Sequence, residues 1–290
     1  VLILGHFNVS CHFISINLLN LIIKNKNMVK IIKYYKKMNI EKNGIEIIKI
    51  EQKIKKIISD DIKKNISKKL NLHINSNFSK ISNKINKIDD KTFNELFGNV
   101  AKRYLSYNAT KKINLFINTF KLNRNFKKVF LHQMSPSDLK ANPKLNKHHY
   151  CVYYRVVRKQ KKDTLFVHRD SDFWKLHKKN KNLAPIIPYH HNRRIKVWIP
   201  IFGCNKQNSL KLFNFSHLHK IKSKYKIVKG LKKPLIEKTY IKKNIKNVIM
   251  PFKNFKSDSV IFDDKCVHFA PVNSTSPLRI SCELTAMISQ

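Results

Sequence analysis

The sequence predicts a mainly β domain behind a helical lead-in, with the strands wound as a double-stranded β-helix, or two-sheet jelly roll. Three observations predict it. Apolar residues recur at helical spacing through the first part of the chain. After residue 135 they give way to short runs of branched and aromatic residues. The last of these runs alternates polar and apolar side chains, as a half-buried strand does.

Each element follows in order. From Gly44 to Leu72, the residues Ile47, Ile50, Ile54, Ile57, Ile58, Ile62, Ile66 and Leu70 recur at steps that predict an amphipathic helix. Asp89 and Asp90 can cap a second helix burying Phe93, Leu96, Phe97 and Val100. A third runs through Ile113, Phe116, Ile117 and Phe120. Ser-Pro-Ser-Asp and Ala-Asn-Pro then make a loop. Strands are predicted at Cys151 to Arg158, Thr164 to His168, Ile195 to Phe202, Ser209 to Phe215, Ser259 to Phe262 and Arg279 to Ile288. Many short strands without an internal repeat suggest a jelly roll of the cupin-like kind. The expected organisation is a helical, lysine-rich region over 28–134 and the jelly-roll domain over 135–290. Residues 1–27 read as an upstream or non-native segment, because the chain begins with Val1 and Met28 opens a lysine-rich start.

Composition narrows the function. The net charge is +43, but only eight of the 60 basic residues are arginine, and none precedes Arg103. Lysine is spread through core-like and surface-like segments alike. That pattern fits a compositional bias better than a nucleic-acid reader, which leans on arginine for bidentate contacts. Specific nucleic-acid binding is not expected. The five cysteines are scattered without a C-x-x-C pair, which argues against a cysteine zinc site or a disulfide framework and favours a reducing, cytoplasmic setting. Residues 1–23 are uncharged, but His6, Asn8, His12, Asn17 and Asn20 interrupt the run, so no stable membrane insertion is expected.

The chemistry sits in two segments. Val167 to Trp174 reads V-H-R-D-S-D-F-W, and Asp258 to Ser281 ends in His268, Arg279 and Ser281. Two imidazoles and one carboxylate (His168, Asp170 and His268) can hold one face of an Fe(II) octahedron and leave the other positions open. Arg279 can clamp a carboxylate through paired hydrogen bonds. With 13 histidines in the chain, the H-x-D spacing alone is common, so order and context carry the reading. His168 and Asp170 fall on one side of the end of a predicted strand. Arg279 opens the last strand, where Arg279, Ser281 and Glu283 share a face opposite Ile280, Cys282 and Leu284. The same H-R-D could suggest a kinase catalytic loop, but Lys175 stands where that loop needs asparagine, and no D-F-G follows.

From about Tyr150 to Met287 the sequence resembles the phytanoyl-CoA dioxygenase-like branch of the 2-oxoglutarate/Fe(II)-dependent oxygenases. The resemblance runs through Y-Y-R-V-V-R, H-R-D-S-D-F-W, R-I-K-V-W-I-P-I, Asn208-Ser209-Leu210, F-S-H near Phe215, K-P-L-I-E at Lys233, and the His268 to Ser281 block. It implies His168, Asp170 and His268 as iron ligands, and Arg279 with Ser281 as the site for the 5-carboxylate of 2-oxoglutarate. Arg155 is expected to reach the cosubstrate from the neighbouring strand. The implied cofactors are Fe(II), 2-oxoglutarate and O2. Hydroxylation is favoured over halogenation, because halogenating relatives replace the carboxylate that Asp170 retains. The implied substrate is a small or medium metabolite, with sugar or surface-polysaccharide biosynthesis as one setting.

The sequence departs from the family pattern at Asn214-Phe215 and at Ser209 and Ser257-Asp258, where relatives carry proline or glycine. A catalytically vestigial jelly-roll binding protein and a basic nucleic-acid-associated protein are therefore kept as alternatives. For the substrate, Trp174 is a candidate pocket residue. Residues 175–194 read as a lid bringing Lys175, Arg193 and Arg194 toward an anionic group, or equally as a solvated insertion. His177, His217 and His219 read as surface residues.

Overall fold

A computed structural model describes residues 40–119, 128–134, 140, 149–161, 163, 166–176, 192–228 and 231–289. The expectations for residues 1–27, for the Ser-Pro-Ser-Asp and Ala-Asn-Pro loop, for Phe120 and for His177 lie outside the described residues. Residues 39–290 belong to one compact unit, which contains both the helices before residue 135 and the strands after it.

The helical lead-in begins with a short α1 (Ile40–Asn43) and then a strand, β1 (Ile45–Lys49). The predicted first helix is thus corrected at its start. Ile47 pairs with Val260 inside a sheet, and the helix proper, α2 (Gln52–Lys69), begins later. Gly44 at φ +70 turns the chain out of α1, and the branched run Ile45-Glu46-Ile47-Ile48 suits a strand edge. Within α2, Ile54, Ile58, Ile62 and Ile66 stand four apart and all are buried. A helix absent from the sequence reading follows, α3 (Phe78–Lys87), capped by the Asn77 side chain. Next come α4 (Asp90–Phe97), capped by Asp89 and burying Phe93 and Phe97, and α5 (Tyr107–Ile117), burying Ile113 and Ile117.

The main sheet holds β1, β2 (Lys128–Leu131), β3 (Val152–Arg158), β4 (Asn192–Phe202), β9 (Asp258–Asp263) and β11 (Leu278–Ser289). Its order is β1-β9-β4-β11, with β3 and β2 both lying along the other side of β11. The second sheet holds β5 (Lys211–Phe213), β8 (Val248–Ile249) and β10 (His268–Phe269), in the order β10-β5-β8. An antiparallel bridge adds His168 to the free side of β10. In sequence the chain passes from β3 to the His168 bridge, then to β4, β5, β8, β9, β10 and β11. It crosses between the sheets at every step except β5 to β8, which pair in the second sheet, and all ladders are antiparallel. That winding is a jelly roll, as the sequence predicts. An exposed hairpin of β6 (Ser223–Val228) and β7 (Leu231–Ile236) projects between β5 and α7 (Lys238–Asn244).

The outer face of the main sheet carries Tyr154, Cys282 and Ile199 in one cross-strand row, and Leu284, Val197 and Ile261 in another. The helical lead-in reaches this face. Asn65 of α2 accepts a hydrogen bond from the Tyr154 hydroxyl at 2.5 Å, and Phe78 of α3 stacks on Phe202 at 4.9 Å. The inner face carries what remains: Thr285-Lys196-Phe262, Tyr153-Glu283-Trp198, Arg155-Ser281 and Val157-Arg279. Directly opposed residues share a face, so these rows deliver polar groups to the space between the sheets.

At the end of β4, Gly203 takes φ +64, and a Cβ there would lie 1.9 Å from the Leu278 carbonyl oxygen. Gly203→Ala is expected to cost at least about 2 kcal/mol, from left-handed strain plus the backbone clash. Urea unfolding checks this; an unchanged midpoint would contradict the register of β4 against β11.

Candidate active site

His168 and His268 are joined through their own backbones. His168 N–H donates to the His268 carbonyl at 3.1 Å, and His268 N–H donates back at 3.0 Å. Both side chains therefore emerge side by side, with ring centroids 4.4 Å apart. Asp170 follows two residues later. The sequence reading placed it in strand alternation with His168; instead it opens a helix, α6 (Asp170–Leu176). The turn from bridge to helix swings its carboxylate toward both rings. His168 Nε2 lies 3.6 Å from Oδ1, and His268 Nε2 lies 3.9 Å from Oδ2.

These separations are too long for hydrogen bonds. Atoms held about 2.0–2.2 Å from one ion can be at most roughly 4.4 Å apart, and both separations fall inside that limit. Nδ1 of His168 faces the Phe166 carbonyl at 2.6 Å, and Nδ1 of His268 faces the Cys266 carbonyl at 3.0 Å. A carbonyl only accepts, so each Nδ1 carries the hydrogen and each Nε2 presents its lone pair inward. Burial and then the neighbouring His168 lower the pKa of His268 to about 4, so its ring is neutral at physiological pH. Asp170 Oδ2 is buried without a hydrogen-bond partner. Burial opposes ionisation of Asp170, but the Lys196 ammonium at 3.5 Å and the two histidines hold it well below the usual carboxylate range. Neutral imidazoles and an ionised carboxylate are the donor set a divalent cation requires. Among the described residues these three are the one His/Cys/Asp/Glu group spaced to share an ion.

The three residues line a small cavity of about 70 Å³ that is partly open to solvent. One wall is apolar, formed by Trp198, Leu210, Phe262 and Phe269. The other is polar, formed by Tyr153, Arg155, Lys196 and Glu283. Arg155 donates from Nε and Nη2 to the two oxygens of Glu283, at 2.6 and 2.9 Å, and the Tyr153 hydroxyl donates to Glu283 at 2.8 Å. Lys196 donates to Thr285 at 3.0 Å. Burial disfavours the Lys196 charge, but Asp170 and Tyr153 outweigh it and raise the pKa.

Arg279 and Ser281 lie further along the same face of β11 and are fully buried rather than lining the cavity. Arg279 Nη1 donates to the carbonyls of Asn208 and, at 3.5 Å, Pro271. Its Nε and Nη2, and the Ser281 hydroxyl, have no hydrogen-bond partner. Burial lowers Arg279 only to about 10, so it remains charged. Such atoms suit an oxygen-rich anionic guest, because unmade buried hydrogen bonds are costly.

The four residues assigned to substrate lie elsewhere. Trp174 rests against His132, with ring centroids 5.6 Å apart, and the Arg194 guanidinium lies 4.8 Å over the Trp174 ring. Arg193 is paired with Asp263. Both arginines belong to the first turns of β4 rather than to a loop, opposite Ile288 and Met287 at the far end of β11. Lys175 is exposed beside Leu176 and Tyr225 in a surface groove. None of the four lines the cavity. His217 is buried against Gly44, not on the surface. Lys196 and Tyr153 are site residues the sequence reading passed over. A lysine inside the apolar run I-K-V-W-I-P was the available signal for the first.

No protein-family model matches the sequence, and no curated protein is similar to it. Among solved structures, EctD from S. alaskensis with 2-oxoglutarate and 5-hydroxyectoine aligns over 86% of this chain and 73% of that one, with TM-score 0.46 and 10% identity. Its apo form aligns over 55% of this chain and 44% of that one, with TM-score 0.33 and 11% identity. The epimerase SnoN in complex with Fe3+, alpha ketoglutarate and nogalamycin RO aligns over 47% and 48%, with TM-score 0.30 and 14% identity. The last two alignments thus span less than half of the neighbour's length. Likeness at this level carries no functional argument, and the jelly roll rests on the strand order above.

Burial opposes ionisation of Glu283, but Arg155 outweighs it and holds the pKa at about 2, against 4.5 ordinarily. The stability this group contributes, roughly 3 kcal/mol, is present above its unfolded pKa and is lost as pH falls from about 4.5 toward 2. Glu283→Gln is expected to be destabilised by about 3–5 kcal/mol near neutrality, since Arg155 loses its partner. It should also show a shallower loss of stability in that acid window. Urea midpoints measured against pH check both; parallel curves would contradict the pairing.

Proposed function

We propose that the chain is an Fe(II)- and 2-oxoglutarate-dependent dioxygenase that hydroxylates a small or medium metabolite. The observation that carries this reading is the convergence of His168, Asp170 and His268 at the wall of a jelly-roll cavity. His168 and His268 would hold iron through Nε2 and Asp170 through its carboxylate. The bound iron and cosubstrate supply the oxidising power that activates O2 toward a C–H bond.

The chain's own residues do the rest. The Phe166 and Cys266 carbonyls fix the tautomers of the two histidines. Arg279, with its unpartnered Nε and Nη2, binds the far carboxylate of 2-oxoglutarate, and the Ser281 hydroxyl donates beside it. Trp198, Leu210, Phe262 and Phe269 exclude water from one side of the reacting centre. Tyr153, Arg155 and Glu283, locked to one another, form a rigid polar wall that orients the substrate. Retention of a carboxylate at Asp170 favours hydroxylation over halogenation. The main motif resembles the phytanoyl-CoA dioxygenase-like branch, and the cavity suits a compact substrate. No helix among the described residues is long and apolar enough to cross a membrane.

The test is anaerobic titration with Fe(II) and 2-oxoglutarate, watching for the visible absorption of the iron–cosubstrate complex. Wild-type protein is expected to develop the band. His168→Ala is expected to lose it. Arg279→Ala is expected to need at least about tenfold more 2-oxoglutarate, the loss of a charge-assisted hydrogen-bond pair. Folded wild-type protein without a band would overturn the proposal.

A further inference from the structure

The β6–β7 hairpin comes from a stretch where positive charge is dense even for this chain. Seven of the 18 residues from His219 to Ile236 are lysine and none is acidic, against 52 lysines in all 290 residues. Lys220, Lys222, Lys224, Lys226 and Lys232 are exposed. Glu237, at the hairpin's base, pairs with Lys224 at 3.4 Å. No carboxylate within the hairpin offsets the rest.

Apolar side chains stand among these charges. Pairing across the hairpin sets Ser223 opposite Ile236, Tyr225 opposite Pro234 and Ile227 opposite Lys232. Opposed residues, and residues two apart along a strand, share a face. At the base of this face Ile236 and Pro234 are buried, Ile236 in a cluster with Phe213, Ile221 and Val267. Further out the same face runs past the core, and there Tyr225 is 55% and Ile227 62% exposed. The Lys232 ammonium lies 4.7 Å from the centre of the Tyr225 ring. On the other face the Lys226 ammonium lies 5.3 Å from the ring of Phe166, itself 45% exposed. Ammonium groups thus stand beside isoleucine, tyrosine and phenylalanine side chains left in water.

This patch makes two demands at once. Its lysines call for anions, and its isoleucine and aromatic rings call for an apolar layer. A bilayer with anionic headgroups meets both. Long lysine stems let the ammonium groups stay among the headgroups while apolar neighbours sink deeper. A polyanion in water meets the first demand and leaves Ile227 solvated, and the hairpin has no arginine for bidentate phosphate contacts. We propose that the β6–β7 hairpin docks the protein on an anionic lipid surface, with Tyr225 and Ile227 entering the headgroup layer. The hairpin is tied to the segment that carries His168 and Asp170. Ile236 N–H donates to the Val167 carbonyl at 3.1 Å, and Arg169 Nη2 donates to the Ile221 carbonyl at 2.8 Å. Docking therefore holds that segment near the lipid surface. This goes beyond the oxygenase reading and does not rest on it.

The test is co-sedimentation of the full chain with vesicles of phosphatidylcholine alone, or with about 30% phosphatidylserine, in about 0.15 M salt. A chain of net charge +43 needs charge-matched controls. Wild-type protein is expected to bind only the vesicles with phosphatidylserine. Lys222→Gln combined with Lys226→Gln is expected to weaken binding at least about tenfold, the scale of two lysines at an anionic surface. Lys64→Gln combined with Lys68→Gln removes the same charge from exposed positions on α2, and is expected to change binding less than about threefold. Ile227→Ser removes no charge and is expected to weaken binding about fivefold, through lost apolar burial. The substituted side chains are exposed, so unchanged circular dichroism is expected of every variant. Wild-type protein that ignores phosphatidylserine overturns the proposal, as does equal weakening by the two lysine pairs. Vesicle binding unchanged in Ile227→Ser also overturns it. If the Lys222 and Lys226 changes then weaken binding of a single-stranded oligonucleotide, the hairpin is a polyanion site instead.

Discussion

Two backbone hydrogen bonds between His168 and His268 are the constraint on which the site depends. They join segments a hundred residues apart and leave both imidazoles on one side of the bridge. The bridge exists because the jelly roll threads the chain from sheet to sheet, bringing the His168 segment alongside β10. Helix α6 starts immediately after it and turns the Asp170 carboxylate toward the same point. Three donors thus converge through main-chain geometry, with little demand on side-chain entropy.

The charged interior depends on that placement. Lys196, Arg155, Arg279 and Glu283 share the inner face of a sheet whose outer face is apolar and covered by helices, and Asp170 meets Lys196 from helix α6. Burying so many charges is costly unless each finds a partner. Arg155 finds Glu283, and Lys196 finds Asp170 and Thr285. Nε and Nη2 of Arg279 and the hydroxyl of Ser281 are buried on that face without a hydrogen-bond partner.

Much of the fold was legible because strands β4 and β11 carry long branched and aromatic runs that no helix period fits. The polar face of β11 was readable from alternation alone, through Arg279, Ser281 and Glu283. Other elements hid for physical reasons. Strand β1 pairs with Phe262 and Val260 more than two hundred residues away, and Ile47 and Ile50 fit a helical period as well as a strand. Strand β6 is exposed along almost its whole length, so burial imposed no alternation on its lysines. Asp170 was placed on a strand because the helix it opens has no apolar repeat of its own. Lys196 was lost in a chain where lysine is everywhere; only burial separates it from the solvated majority.

The most direct measurement is X-ray absorption of the protein loaded anaerobically with Fe(II). The account predicts scattering from nitrogen and oxygen at about 2.0–2.2 Å, with the outer-shell pattern of two imidazoles falling to one in His268→Ala. A shell containing sulfur, or imidazole scattering unchanged in that variant, would contradict the site.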